Sequence, residues 1–301
     1  MTTQTTMTGT ARAALWMTLA AVGFAVLTSL VRYLSSALPP MELALLRSFF
    51  LFILMMTWRR WDFSFLKTSH PKLHLLRGIS GALAMMGIFH GVAHLPLGYV
   101  TALTFAAPLF ATIGAALFLG EVVRLRRWLA TGIGFIGTLI ILWPAEARLD
   151  MDSLITLGAA MAMATTMVLI RKMSHTESPD SVVAWSGLSM TVALIIPGFW
   201  VWHWPTLAQW GWVVLIGLAA LGIQQSFARA LKVAEASVVM PFDFLRLLAT
   251  IVAGFILFAE VPQLRTLFGA ALIMASTFYI ARREARSEKA ARAAATPPPH
   301  S

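Results

Sequence analysis

The sequence predicts an all-α integral membrane protein: ten transmembrane helices forming a five-plus-five inverted repeat, with both termini cytoplasmic. Three observations carry this expectation. They are the composition, the recurrence of apolar runs of membrane-spanning length, and the placement of the basic residues. Of 301 residues, 58% are hydrophobic and 12% charged, and the mean hydropathy is +0.77. An average soluble domain is about 45–50% apolar and about 25% charged. The chain therefore lacks the polar surface that folding in water requires.

Apolar runs of about 20 residues cross a hydrocarbon core about 30 Å thick. Such runs fall at about 12–32, 39–57, 76–95, 97–119, 127–143, 153–171, 181–200, 210–229, 237–259 and 264–282. The fifth is the shortest and is expected to stand near the membrane normal. No polar stretch between the runs is long enough to fold alone, which excludes a soluble catalytic domain. The first run follows a polar head, 1–11, but it exceeds a signal-peptide core and further spans follow, so it is read as a retained helix. The halves are then 12–143 and 153–282. The tail 283–301 is basic and expected to be cytoplasmic, and its part from Ala290 to Ser301, with Pro297, Pro298 and Pro299, is expected to be disordered.

Short cytoplasmic loops accumulate Lys and Arg, and this sets orientation. With the amino terminus inside, the inner segments hold Arg12; Arg59, Arg60, Lys67, Lys72 and Arg77; Arg124, Arg126 and Arg127; Arg171 and Lys172; Arg229 and Lys232; and five basic residues from Arg282 to Arg292. The outer segments hold only Arg32, Arg148 and Arg265. The net charge of +10 thus reflects orientation rather than nucleic-acid binding, and the 11 Trp and 19 Phe lie within or beside apolar runs. Trp200, Trp202, Trp204, Trp210 and Trp212 flank one external gap as an interfacial belt. The expected partners are the lipid bilayer and a small-molecule substrate. With no cysteine there is no disulfide or thiolate site.

The segment from Leu97 to Arg127 lies on Ala236 to Thr266 with an offset of 139 residues, the separation of Glu121 and Glu260. Gly98 then meets Ser237, Arg126 meets Arg265, and an apolar helix meets an apolar helix. Each half has an odd number of spans, so the second half enters the membrane inverted relative to the first. Inverted repeats suit proteins whose halves exchange conformations around a central site.

The run Leu97-Gly98-Tyr99-Val100-Thr101-Ala102-Leu103, leading to Ala107-Pro108 and Phe118-Leu119-Gly120-Glu121, resembles the EamA branch of the drug/metabolite transporter superfamily. It is echoed by Ala234-Glu235-Ala236-Ser237, Pro241 and Phe258-Ala259-Glu260. The resemblance covers about 13–281. It implies a ten-helix bundle and alternating access, with a cavity lined mainly by spans one, three, four, six, eight and nine. Spans five and ten would be supports or a homodimer surface. The second half departs from the pattern in having Ala259 where Gly120 precedes the Glu.

Candidate site residues are the polar and aromatic ones within spans. Arg47 in span two and Arg246 in span nine lie near mid-span, where an arginine costs about 2.5–3.5 kcal/mol on insertion scales, so each needs a partner or a wet cavity. Asp243 precedes Arg246 by three positions and shares its helical face. That pair either holds span nine together or binds a substrate carboxylate or amine. Arg47 is expected to cap carbonyls or to pair with Glu42 or Asp243. Gln224, Gln225 and His90 can bond to neighbouring helices or to a ligand, and His90 lies between Gly87 and Gly91, whose spacing admits a close backbone. Trp16, Phe24, Tyr99, Phe105 and Trp185 can form an aromatic wall. Pro108 and Pro241 free carbonyls at membrane depth and can act as hinges. Glu121 and Glu260, closing spans four and nine, read as structural latches.

No zincin motif, phosphate-cradling glycine loop with lysine, or pair of facing carboxylates is present, so no enzyme activity, cofactor or metal site is expected. The expectation is a secondary carrier of a small organic metabolite in a bacterial-type inner membrane. An amino acid or related zwitterion is favoured, with export slightly ahead of uptake. The alternatives are uptake of a larger aromatic or nucleoside-like compound such as riboflavin or S-adenosylmethionine, and then a passive channel or membrane scaffold. A reporter fused after His300 tests the orientation: a cytoplasm-dependent reporter is expected to be active there, and a signal only from a periplasm-dependent one would overturn it.

Overall fold

A computed structural model describes residues 9–63, 66–118, 125–142, 150–173, 177–233, 242–243, 245–276 and 278–279. Among them all regular structure is helical. In chain order the helices are α1 (Gly9–Leu34), α2 (Pro40–Trp58), α3 (Pro71–His94), α4 (Leu97–Thr104), α5 (Ala107–Phe118) and α6 (Leu125–Leu142). After these come α7 (Met151–Met173), α8 (Pro179–Trp200), α9 (Leu207–Val233), α10 (Leu245–Phe258) and α11 (Leu264–Ser276). Seven apolar helical segments are long enough to cross a membrane, and α6, α10 and α11 carry shorter apolar ones. Glu121 and Pro241 lie outside the described residues.

Helix starts follow from proline. Pro40, Pro71 and Pro179 open α2, α3 and α8, where a missing N–H is harmless. Ser178 caps α8 by accepting the Ser181 N–H at 3.1 Å. At the end of α3, Leu95 precedes Pro96 and is forced extended, with φ −117° and ψ 157°.

The fourth predicted span is not one helix. Pro108 has no N–H for the Thr104 carbonyl, and the chain tightens ahead of it. Phe105 N–H donates to Ala102 at 3.2 Å and Ala106 N–H to Leu103 at 3.0 Å, before Leu109 and Phe110 resume helical bonding onto Ala106. The break between α4 and α5 sets Phe105 on a turn in the middle of the span.

Helix neighbours fix the layout. α1 packs on α9 and α10, α3 on α7 and α8, and α2 bridges α8 and α9. α4 and α5 contact α7, and α4 also meets α10. The largest buried cluster joins Leu27 and Leu34 of α1, Leu43 and Leu51 of α2, Phe89 of α3, Leu194 of α8 and Ile216 of α9. α6 and α11 meet at glycine: a Cβ on Gly137 would lie 2.6 Å from the Gly269 carbonyl, and one on Gly269 would lie 2.5 Å from the Gly137 carbonyl. Small residues let helix backbones approach this closely. Spans five and ten thus support one another within the chain. Large apolar side chains such as Leu117, Ile196 and Phe255 are exposed, as a bilayer solvent permits.

At the end predicted to be internal, the first turns of α3 and α8 are tied through Glu177. Thr68 donates to this carboxylate, Ser181 donates at 3.2 Å, and His70 and His74 approach to 3.6 and 3.7 Å. Burial pushes Glu177 upward, but the Thr68 and Ser181 hydrogen bonds and the neighbouring imidazoles outweigh it and hold the carboxyl below its usual range. His74 stacks on Trp185, whose indole N–H donates to the Leu66 carbonyl at 3.0 Å. Trp185 is therefore committed to this end.

Candidate functional site

Three elements converge on Arg246. At a rise of about 1.5 Å per residue it stands roughly 18 Å from the end of α10 at Phe258, near the bilayer midplane. Its guanidinium carbon is 4.8 Å from the ring centroid of Phe24, mid-way along α1, and 4.7 Å from that of Phe105 on the α4–α5 turn. A cation over an aromatic face gains about 2 kcal/mol or more when water is excluded. One guanidinium nitrogen lies 3.5 Å from Asp243 Oδ2, and Nε is buried with no hydrogen-bond partner.

The exposures of the pair differ in a telling way. The Arg246 side chain is 12% exposed and that of Asp243 32%. Arg246 points at α1 and the α4–α5 turn, and Asp243, three residues earlier, stands beside it. The site offers a fixed cation, an accessible anion and two ring faces at one depth.

The other sequence-predicted residues scatter. Trp16 lies toward the internal end in a cluster with Met17, Phe227 and Phe242, its ring 4.8 Å below the Arg229 guanidinium. Gln224 and Gln225 are half-buried on α9. Tyr99 shares a 3.1 Å hydrogen bond with Ser153 at the start of α7. His90 is not at mid-depth: it sits in the last turns of α3, with Nε2 2.7 Å from Asp152 Oδ1. Arg47 meets neither expected partner. The Glu42 carboxylate instead accepts the His203 N–H at 2.9 Å, Asp243 pairs with Arg246, and Arg47 Nε is buried without a hydrogen-bond partner.

A second arrangement lies at the end of the bundle predicted to be external. Glu260 Oε2 accepts the Leu97 N–H at 2.7 Å, and Oε1 is 3.5 Å from an Arg32 nitrogen. Arg32 also donates to the Val92 and Leu95 carbonyls at 2.9 and 3.3 Å. One carboxylate thereby joins α1, the α3–α4 corner and α10. Two backbone features aim it. Ala259 holds φ +55°, a left-handed turn that a Cβ disfavours by about 1–2 kcal/mol, and a Cβ on Gly254 would lie 2.6 Å from Glu260 Oε2. Arg32 was missed as a partner in sequence, although a basic residue on the outside against the charge bias is a signal for one.

Phe24, Thr28 and Arg32 recur every four residues along one face of α1, so Thr28 lies between the latch and Arg246. Its side chain is 2% exposed. A cysteine at Thr28, alone in this cysteine-free chain, is expected to react slowly with a membrane-impermeant thiol reagent added from outside. Adding Glu260→Gln should accelerate labelling roughly tenfold, as a loss of about 1.4 kcal/mol in closure implies. Equal rates would show that Glu260 does not hold the outer path shut.

Comparison with known proteins agrees with this architecture. A model of the EamA-like transporter family matches residues 11–143 and 152–282. The chain is 32% identical to the riboflavin transporter of Vibrio cholerae serotype O1, over 92% of this chain and 95% of that one. It is 31% identical to the riboflavin transporter of Rhizobium johnstonii, over 92% and 93%. It is 28% identical to the S-adenosylmethionine uptake transporter of Rickettsia bellii, over 91% and 95%. With its apolar helices, it is a multi-pass protein of the bacterial inner membrane. Matched through both halves, the chain belongs to the EamA-like transporter family of the drug/metabolite transporter superfamily.

Proposed function

We propose that this transporter is a secondary carrier importing a planar heteroaromatic metabolite of the riboflavin type, bound at the midplane by Arg246, Asp243, Phe24 and Phe105. The observation that carries the reading is the Arg246 group itself. A flavin-like ring presents a π face to stack on phenylalanine, carbonyl oxygens to accept from a guanidinium, and an imide N–H to donate to a carboxylate. All three partners stand at one depth on α1, the α4–α5 turn and the stretch leading into α10. Relatives with riboflavin in their names, alike along most of the chain, support the same ligand class.

Alternating access by an inverted repeat is supported by how the halves meet. Each helix can be paired with the one five spans on, and under that exchange the main packings between the halves map onto one another or, for α2 against α8 and α4 against α10, onto themselves. α1 against α9 becomes α7 against α3, α1 against α10 becomes α7 against α5, and α3 against α8 becomes α9 against α2. The offset of 139 residues also carries Arg32 to Arg171 and Glu260 back to Glu121. These are the residue types that a matching latch at the inner end requires.

An amino-acid-like zwitterion, the substrate favoured from sequence alone, keeps one specific observation in its favour. The opposite charges of Asp243 and Arg246, 3.5 Å apart, complement an ammonium and a carboxylate. Uptake of labelled riboflavin, S-adenosylmethionine and neutral amino acids into a host lacking its own flavin uptake separates the readings. Saturable riboflavin entry competed by excess flavin is expected. Phe24→Leu and Phe105→Leu, which keep volume but remove the ring faces, should each weaken it roughly tenfold, for stacking of about 1–1.5 kcal/mol. Riboflavin entry no faster than in the empty host, with saturable amino-acid movement, would transfer the site to the zwitterion.

A further inference from the structure

His90 and His94 stand one helical turn apart on the last turns of α3, and Asp152 reaches them from the first turn of α7. The donor atoms of these three side chains all lie within 4.8 Å of one another. His90 Nε2 is 2.7 Å from Asp152 Oδ1, and the two imidazole rings are 4.4 Å apart between centroids. The cluster is separate from the midplane group, and neither the fold nor the proposed transport uses it. We propose that His90, His94 and Asp152 form a binding site, at the outer end of the bundle, for a divalent cation of the zinc class.

The two elements are held in place by packing, not by the polar contact alone. A Cβ on Gly87 would lie 2.7 Å from Ala159 Cβ and 3.0 Å from the Ile155 carbonyl, and one on Gly91 would overlap Thr156 Oγ1. α7 therefore lies directly against the α3 backbone one turn below the histidines. Thr156 in turn donates to the Asp152 carbonyl at 2.8 Å, so the turn that carries Asp152 is tied to the crossing.

The ligand chemistry points to the same conclusion. His94 Nδ1–H donates to the His90 backbone carbonyl at 2.8 Å, which fixes the tautomer and leaves Nε2 with its lone pair free. A metal-binding histidine typically has its other ring nitrogen occupied in this way. Two imidazoles and one carboxylate suit zinc and its neighbours, which take tetrahedral N and O ligands at about 2.0–2.2 Å. Magnesium and calcium prefer all-oxygen shells. His90 and Asp152 are about one-third exposed, at 31% and 33%, and His94 is exposed. Solvent can thus supply a fourth ligand. The C-terminal dipole of α3 favours a cation here, while the N-terminus of α7 opposes it, so the ligands and not the dipoles decide.

The site went unseen in sequence because the histidines lack the glutamate of a zincin motif and the third ligand lies in the other half of the chain. That location has a consequence. A bound cation would tie α3 to α7, one helix from each half, and so resist any relative movement of the halves at the outer end.

The test uses full-length, tag-free protein, stripped with chelator and titrated with zinc and then with cobalt as a spectroscopic probe. One equivalent is expected to bind, with a cobalt absorption that zinc displaces and magnesium does not. His94→Ala removes an exposed side chain and should leave the metal-free melting temperature unchanged. It should weaken zinc binding by at least about tenfold, a loss that even removal of an outer-shell partner produces. Asp152→Asn should weaken it similarly. Zinc should also raise the melting temperature of the wild type and not of His94→Ala. Equal zinc affinity in wild type and both variants, or no stoichiometric binding to the wild type, would overturn the site.

Discussion

A guanidinium near the middle of a bilayer must be surrounded by groups that replace water, and Arg246 is the charge around which this bundle is arranged. Its cost at that depth, about 2.5–3.5 kcal/mol on insertion scales and more in simulation, is offset from three directions: Phe24 of α1, Phe105 of the α4–α5 turn, and Asp243 one turn away. Each contact depends on a feature elsewhere. Phe105 reaches Arg246 from a turn that exists because Pro108 cannot serve the Thr104 carbonyl. The close crossing of α4 and α10 depends on Gly98, where a Cβ would lie 2.6 Å from Ile251. Asp243 keeps about a third of its side chain exposed, so the arrangement that satisfies the arginine does not fully enclose the carboxylate.

The seam between α1 and α10 carries both functional elements. At mid-depth Phe24 faces Arg246, and about two turns of α1 further on Arg32 faces Glu260. A ligand that altered the Arg246 contacts would act on the same two helices that the outer latch joins. This gives a physical route by which occupancy at the midplane could change closure at the surface. The strain in Ala259, held at φ +55° with a Cβ present, keeps the latch carboxylate aimed at Leu97 and Arg32. A glycine at this point would make that turn without strain.

The spans were legible in the sequence because hydrophobic length is a direct response to bilayer thickness, and helix starts at Pro40, Pro71 and Pro179 matched the runs within a few residues. The pairing of Asp243 with Arg246 was legible because three-residue spacing is local. Contacts that depend on which helices meet were not. Phe105 was one aromatic among many until the proline break and the α4–α10 crossing put it over Arg246. His90 was read as a polar residue within span three, but its contact with Asp152 depends on the α3–α7 crossing. Arg47 was expected to cap carbonyls or to pair with Glu42 or Asp243, yet Glu42 accepts a backbone N–H and Asp243 pairs with Arg246.

The central claim is that the midplane charges bind substrate rather than only holding helices together. Arg246→Gln alone leaves Asp243 without its charge partner, so single variants mix folding with function. The double variant Arg246→Gln with Asp243→Asn removes both charges and the unpaired-charge penalty with them. Its transport rate and affinity, measured beside its melting temperature in proteoliposomes, separate the two roles. The account predicts wild-type expression and melting with transport largely lost; wild-type rate and affinity in the double variant would contradict it.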